Sequence, residues 1–409
     1  MVSNVIKREI NEIKGLYDTI QDCGISRLCG CYVDGDKRKV KTFNETFLNL
    51  QEEELHKYLE IFRKTLSGGQ GKNLLDLSFV ESKQSDETFG KELLNSIRNS
   101  ELKDDALLDK FYDRIIDTYN YIGNYLILLI YQAYDVPGIT DDNIEMDDAS
   151  EEVYKYILCS ICPMKLTKPG LGYDDSLNTI HVLKQNFSVE LPETGFLFPA
   201  FNDRSSDENQ ILYYTKKVDA LQDTFLDELL AVAAPLPAKH QKEGFNSFVA
   251  SVLGDKSDIE TMISLQENLS TFVKDKQNES TGNTVVLEKA AVKNVFEKSG
   301  LDSEQLNEFE KRFDEQFDIQ TISKKNNRKN IKEEDNEEEE IKIPKLQVEQ
   351  KIIADNVIPT KNFEVKTQDM LLRINTKHMD IVKTKIIDGK KCLVIELTED
   401  VTVNGIPVS

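Results

Sequence analysis

Two apolar runs in the middle of the chain constrain its fold most. Residues 124–136 read NYLILLIYQAYDV, and residues 151–166 read EEVYKYILCSICPMKL. A continuous apolar run bounded by turn residues is typical of a strand buried on both faces. Pro137-Gly138 follows the first run and is expected to break that strand. The sequence therefore predicts two neighbouring buried strands.

Shorter strand-like segments surround these runs and are separated by turns. Residues 26–43 predict a hairpin that turns at Asp34-Gly35, and residues 170–184 predict a second hairpin. Residues 195–216 predict two strands joined by a polar loop. Because turns rather than helices separate most of these strands, we expect an antiparallel sheet.

Helical periodicity dominates both sides of the strand-rich region. Asn49 and Glu52 have the spacing of a capping box before a helix that ends at Leu66. In the last predicted helix, Leu306, Phe309, Phe313 and Phe317 share one face, which is typical of a core stripe. Helices are predicted at the N-terminus and over residues 52–66, 105–122, 239–253, 259–274, 285–298 and 303–317.

A block of charge separates the C-terminal part of the chain. Residues 323–342, SKKNNRKNIKEEDNEEEEIK, have too little apolar surface to offset the entropy of ordering. We expect an α+β fold in which N-terminal helices and an antiparallel sheet precede a helical segment, a linker and a small β-rich module. The predicted parts are an α+β domain (1–235), a helical segment (236–320), a charged flexible linker (321–347) and a β-rich C-terminal module (348–409).

The charge of the chain limits its partners. The formal net charge of the 409 residues is −22, which repels phosphate backbones and disfavours nonspecific nucleic-acid binding. The negative charge favours a basic protein partner, and a ribosomal surface is one example. The longest apolar run, residues 125–131, is far shorter than the roughly 20 residues that span a bilayer. With no apolar signal-peptide core at the N-terminus, the expected location is the cytoplasm, where the cysteines stay reduced.

The stretch LSGGQGK at residues 66–72 shares letters with nucleotide-binding and peptide-release motifs. A phosphate-binding loop needs Gly at the first position and Ser or Thr after the Lys, but Leu66 and Asn73 occupy these positions. Glycines after the last turn of a helix are typical of a C-terminal cap. We therefore expect a helix end and a loop, while phosphate binding and release chemistry stay open as alternatives.

The cysteines form two close pairs, Cys29 with Cys31 and Cys159 with Cys162. Four thiolates can hold a zinc ion, and a C-x-x-C pair can be redox-active. However, positions three apart on a strand point to opposite faces, and the second pair lies in an apolar run. Buried structural cysteines are the favoured interpretation, so no metal site is predicted.

The polar loop NDRSSD, residues 202–207, follows an apolar strand and is the strongest candidate site. Arg204 could clamp a carboxylate or phosphate, and the neighbouring carboxylates could accept protons or bind a cation. An enzyme site here predicts convergence with Arg27 or Lys165. The alternative is a hairpin whose polar side chains bond locally. The candidate residues are Asn202, Asp203, Arg204, Ser205, Ser206 and Asp207.

Four segments of the chain, in the order in which they occur, resemble one protein family. The segments ISRLCGCYVDGDKRK, NYLILLI, ICPMKLTKPGL and GFLFPAFNDRSSD are similar to a domain of unknown function, number 4317, of low-GC Gram-positive bacteria. The resemblance covers most of the chain and implies a cytoplasmic bacterial protein. It assigns no activity, cofactor or catalytic residue. That family does not generally carry Gly-Gly-Gln in the segment corresponding to residues 68–70.

Three functions follow from these observations. The first is a non-enzymatic protein that binds a protein partner, because no complete catalytic constellation is recognisable. The second is a hydrolase or phosphate-handling enzyme centred on the NDRSSD loop. The third is a translation-associated factor that uses Gln70 and requires it at the tip of an exposed loop. The sequence identifies no cofactor.

Overall fold

The computed structural model divides the chain into two compact units, the first ending at Ala238 and the second beginning at Lys239. The predicted linker, residues 321–347, lies outside the described residues. The described residues are 7–80, 90–139, 145–176, 178–182, 185–232, 238–254, 258–279, 285–301, 303–318, 352–359, 362–376, 378, 381–396, 402–403 and 406–407.

An antiparallel sheet forms the centre of the first unit, so the predicted α+β fold is confirmed. The strands of this unit are β1 (Ile25–Val33), β2 (Lys39–Thr46), β3 (Leu74–Ser78), β4 (Tyr125–Ile139), β5 (Glu145–Leu166), β6 (Leu171–Asp174), β7 (Thr179–Val182), β8 (Phe187–Val189), β9 (Thr194–Phe198), β10 (Ala200–Asn202), β11 (Ser205–Asp207) and β12 (Gln210–Thr215). In the sheet they follow the order β2-β1-β4-β5-β9-β12-β3, and β8 pairs with the end of β5. Two further hairpins, β6-β7 and β10-β11, lie outside this order.

The two apolar runs form β4 and β5, the longest strands of the sheet. They pair from Tyr125 opposite Pro163 to Ile139 opposite Glu145. The predicted break at Pro137-Gly138 is wrong, because β4 continues through it with a shift of register. Such an irregularity accommodates a proline that cannot donate to the ladder. β5 likewise runs past Pro163 to Leu166.

Helices cover both faces of the sheet, which explains why its central strands are apolar on both sides. The first two helices pack on one face and the next two, with a π-helical turn at Phe225–Leu229, on the other. They are α1 (Lys7–Gly15), α2 (Glu52–Thr65), α3 (Gly90–Asn99) and α4 (Asp105–Thr118).

Helix boundaries differ from the predictions in two places. α2 begins after Gln51, because residues 47–49 form a separate 3-10 turn, so the cap expected at Asn49 is wrong. α4 ends at Thr118 rather than at residue 122, and the Asp104 side chain accepts from the Leu107 N–H at its start.

The second unit has an aromatic core. The ring of Phe248 lies 5.1 Å from Phe309, 5.4 Å from Phe313 and 5.7 Å from Phe317 between centroids, which confirms the predicted core stripe. The hairpin turn predicted at Asp388-Gly389 is present, and the one at Asn404-Gly405 lies outside the described residues. The elements are α5 (Ala238–Leu253), α6 (Ile259–Glu279), α7 (Lys289–Lys298), α8 (Ser303–Phe313), α9 (Ala354–Val357), β13 (Asn362–Lys366), β14 (Leu371–Asn375), β15 (Val382–Ile387), β16 (Lys390–Ile395), β17 (Thr402–Val403) and β18 (Ile406–Pro407).

Among the helices that the structure describes, none combines the length and apolar character that a membrane span requires.

Candidate functional site

The LSGGQGK stretch connects α2 to β3. Leu66 caps α2, and Gly68 has a φ of 138°, which side-chain-bearing residues rarely adopt. The Asn73 side chain holds this turn, since its oxygen accepts the Gly69 N–H at 3.3 Å and its amide donates to the Thr215 carbonyl at 3.0 Å. The prediction that a helix ends at Leu66 and that a loop follows it is therefore confirmed.

Gln70 lies within this turn rather than at an exposed tip. It is half-buried and forms a β-bridge with Leu74, while Gly68 and Gly69 are exposed. A release-type mechanism needs the glutamine side chain to project into a partner's active centre. The arrangement of Gln70 does not supply that projection.

The four paired cysteines are distributed over both faces of the sheet. Cys29, Cys31 and Cys159 belong to the core under α3 and α4, whereas Cys162 belongs to the core under α1 and α2. Burial raises the pKa of the Cys31 thiol to about 11 and that of Cys29 to about 12. Within the described residues, no group of three or more His, Cys, Asp or Glu side chains is placed to hold a metal ion.

The NDRSSD segment forms a tight hairpin. β10 and β11 pair with Asn202 opposite Ser205, so Asp203 and Arg204 are the two loop residues. Their φ angles are 50° and 55°. Positive φ at both central positions is the requirement of a type I′ turn, which usually takes glycine, asparagine or aspartate. Asp203 fits this preference but Arg204 does not, so contacts elsewhere must hold the conformation of Arg204.

Arg204 supplies those contacts by joining the hairpin to α1 and β4. Its guanidinium donates to the Glu12 carboxylate and to the Pro137 carbonyl, both at 2.7 Å. Its backbone N–H donates to the Glu9 carboxylate at 2.9 Å. Arg204 is thus occupied by the protein's own acceptors, which favours a structural role.

The other members of the motif bond to nearby groups. The Ser205 hydroxyl donates to the Asn202 carbonyl at 3.1 Å, and Asp207 accepts the Asn209 N–H at 3.0 Å. The Ser206 N–H donates to the Glu152 carboxylate at 3.0 Å. The motif therefore behaves mainly as a braced hairpin.

The cations expected to join the motif do not do so. Arg27 donates to the Leu102 carbonyl at 3.1 Å, and Lys165 pairs with Glu190 at 3.6 Å. The structure instead places a different pocket beside the hairpin, to which the motif contributes Ser206.

This polar pocket has a volume of about 290 Å3. The C-terminal end of α3 with the turn that follows it, strands β4, β5 and β11, and Glu208 just after β11 form its walls. The residues lining the polar pocket are Arg98, Asn99, Glu101, Tyr131, Val153, Lys155, Ser206 and Glu208.

A second strained turn borders the polar pocket. Glu101 and Leu102 have φ angles of 52° and 58°, and the Lys103 N–H donates to the Ser100 carbonyl at 2.9 Å across them. Leu102 is fully buried, which anchors the turn and places Glu101 at the pocket wall. Strained backbone that is held by its surroundings is a feature of binding sites, although it also occurs in structural turns.

Ion pairs neutralise both carboxylates of the polar pocket. Arg98, whose side chain is only 12% exposed, bonds to Glu208 at 2.5 Å and lies over the Phe198 ring. A hydrogen bond from Lys103 is the main cause of a lowered pKa at Glu101, and the charge of Lys155 adds to it. Lys155 is exposed, and its ammonium has no ion pair or hydrogen bond within the described residues.

An apolar arm extends from the far end of β5. In the β6-β7 hairpin, Leu171 lies opposite Val182 and Tyr173 opposite Ile180. Because positions two apart on a strand share a face, these four side chains form one face of the hairpin. Leu171 is 75% exposed and Ile180 is 68% exposed. The exposed apolar residues of the arm are Leu166, Leu171, Tyr173, Ile180, Val182, Phe187, Val189 and Leu191.

Sequence reasoning missed both the polar pocket and the exposure of the arm. The pocket depends on α3, a helix of only ten residues that is not among the predicted helices. The α3 sequence GKELLNSIRN places Leu93, Leu94 and Ile97 on one face, and this periodicity is the sequence pattern that indicates the helix. For the arm, the sequence predicts the hairpin but not which of its faces stays uncovered.

The first unit is an antiparallel sheet between two helical layers, with a braced hairpin, a polar pocket and an apolar arm. The chain matches the family described as a domain of unknown function, DUF4317, over residues 5–348 and again over residues 327–406. It therefore belongs to this family, and the predicted resemblance is confirmed. No curated protein and no solved structure matches the chain.

Proposed function

We propose that the protein is a non-enzymatic, cytoplasmic binding protein whose apolar arm docks a basic protein partner. The observation that supports this proposal is the uncovered apolar face of the β6-β7 hairpin. Soluble proteins rarely leave a contiguous apolar patch in water unless it is an interaction surface. Four exposed apolar side chains share this hairpin face, and four more lie along the chain between Leu166 and Leu191.

The charge of the chain supports a basic partner. A second copy of this chain brings the same net charge of −22, so association of two copies is opposed by repulsion. A basic protein with an apolar patch of its own is attracted instead, and burial of the hairpin face then stabilises the complex. A ribosomal protein surface is one example of this chemistry.

The hydrolase alternative centred on Arg204 receives less support from the geometry. A catalytic arginine needs free donors facing a substrate. The Arg204 guanidinium already donates to the Glu12 carboxylate and to the Pro137 carbonyl. The binding proposal needs no such free donor, so it is the better supported of the two.

The test compares proteins retained by the native full-length chain with those retained by a Leu171→Ser/Ile180→Ser variant. The matched control is Ile122→Ser, which removes a 97% exposed apolar side chain outside the arm. The proposal expects specific basic proteins, identified by mass spectrometry, that the control retains and the arm variant loses. Retention of the same proteins by both variants, or association of the arm only with a second copy of the chain, would contradict it.

A further inference from the structure

The apolar arm is a ribbon of only two strands. At its root Leu166 lies opposite Phe187, and the Thr167 N–H donates to the Asn186 carbonyl at 2.8 Å. Beyond this root β6 pairs with β7, and within the described residues neither of them pairs with a third strand. A two-stranded hairpin is only marginally stable in water, whereas three strands with an apolar face can be stable. The outer edges of the β6-β7 hairpin are therefore open to a strand from another protein.

The two faces of the β6-β7 hairpin differ in character. One face carries four apolar side chains that are each more than half exposed. On the other face, Gly172 lies opposite the half-buried His181. Successive residues of a strand point to opposite faces, so a third strand would meet the apolar face with every second residue. An alternating sequence fits this surface better than a helix does, because apolar residues on one helix face recur at every third or fourth position.

The charge of the hairpin favours basic residues between those apolar positions. Residues 171–182 contain Asp174 and Asp175 and no lysine or arginine. Opposite charges on neighbouring strands attract, and like charges repel. Lysine or arginine in the incoming strand is therefore favoured, whereas a second copy of this hairpin brings the same two aspartates.

We propose that the partner docks as a third β-strand on an open edge of the β6-β7 hairpin. This inference rests on the proposed function, because it specifies which kind of segment of the basic partner the apolar arm binds. That segment is extended, carries an apolar residue at every second position and has basic residues between them. Main-chain hydrogen bonds along the edge supply affinity, and the alternating side chains supply specificity.

The test measures binding of short dye-labelled peptides to the full-length protein by fluorescence anisotropy. In the first peptide valine and lysine alternate, and in the second the same residues are rearranged so that the valines have helical spacing. The third repeats the alternating sequence with N-methylated backbone amides, which cannot donate hydrogen bonds to a strand. Each peptide is also titrated into the arm variant Leu171→Ser/Ile180→Ser and into the control Ile122→Ser, all of which change exposed side chains.

We expect the alternating peptide to bind the native chain and the Ile122→Ser control equally, and to bind the arm variant roughly tenfold more weakly. The helix-spaced and N-methylated peptides should bind the native chain roughly tenfold more weakly than the alternating peptide does. Hydrogen exchange at the backbone amides of β6 or β7 should slow when the alternating peptide is bound, because pairing protects those amides.

Equal, arm-dependent binding of all the peptides would overturn strand addition but leave the arm as a docking surface. Unchanged hydrogen exchange in β6 and β7 with the alternating peptide bound would have the same meaning. Equal affinity of the alternating peptide for the native chain and for the arm variant would also overturn strand addition. Retention of basic cellular proteins by the arm decides the proposed function separately.

Discussion

At the scale of single residues, backbone conformation shows which of the two glycines at positions 68 and 69 the fold requires. A Cβ at Gly68 would lie 2.4 Å from the Cβ of Asn73, and the φ of 138° is unfavourable for any other residue. Gly69 differs, because its nearest Cβ contact is an ordinary 3.7 Å to Lys72. The sequence shows two equivalent glycines, but only the structure shows that one of them is required.

We therefore predict that Gly68→Ala lowers the free energy of unfolding by about 1–3 kcal/mol, through backbone strain and the collision with Asn73. Gly69→Ala should change it by no more than about 0.5 kcal/mol. Urea denaturation of both variants makes the comparison. Equal losses in the two variants would show that the corner after α2 does not depend on the conformation of Gly68.

The buried thiols predict how stability depends on pH. The ordinary thiol pKa is 9.0, and burial raises that of Cys31 to about 11 in the folded protein. Above about pH 9 the unfolded chain releases a proton that the folded protein keeps, so the folded state is progressively disfavoured. The contribution of the protonated Cys31 thiol to the free energy of unfolding is fully present below about pH 9 and declines as the pH rises towards 11.

We expect the free energy of unfolding to fall over this range, and Cys31→Ala to reduce the slope by up to about 1.4 kcal/mol per pH unit. Buried tyrosines contribute in both proteins, so only the difference in slope reports on the thiol. Denaturation curves at several pH values between about 8 and 11 provide the measurement. Parallel pH profiles would rule out a protonated, buried Cys31.

At the scale of elements, the β10-β11 hairpin explains why a polar motif can look catalytic without being so. Asp203 and Arg204 form the turn, in which Arg204 has an unfavourable positive φ, and the Arg204 side chain reaches α1 and β4. The residues concerned are separated by up to 195 positions in sequence. No local pattern could have shown that the acceptors of Arg204 are Glu9, Glu12 and Pro137.

Arg204→Ala is expected to lower the free energy of unfolding by about 1–3 kcal/mol, because it removes two charge-assisted hydrogen bonds and leaves Glu12 poorly paired. Hydrogen exchange in α1 should accelerate in the same variant. Lys165→Ala, which breaks only an exposed pair, is the control and should change stability by no more than about 0.5 kcal/mol. Unchanged α1 protection in Arg204→Ala would contradict the bracing role.

The elements that could be predicted were those with a strong and uninterrupted pattern. The runs that form β4 and β5, the hairpin β6-β7 and the phenylalanine stripe of α8 are examples. β3 and α3 are short and have weaker patterns, so tertiary packing decides their existence. The polar pocket lies against α3, so its composition could not be predicted before that helix was known.

At the scale of the whole molecule, net charge and exposed apolar surface give complementary information. The charge of −22 sets the sign of a favourable partner, and the apolar arm marks where contact would occur. The arm and the polar pocket involve different residues. The division into four parts with boundaries at residues 235, 320 and 347 stays a prediction.

Contact at the arm is the central claim, and photo-crosslinking in living cells tests it most directly. A crosslinking amino acid replaces Ile180 in one variant of the full chain and Ile122, also exposed, in another. The account predicts that position 180 captures a basic protein in a discrete product that position 122 does not form. Crosslinks from position 180 only to a second copy of the chain, or the same products from both positions, would contradict it.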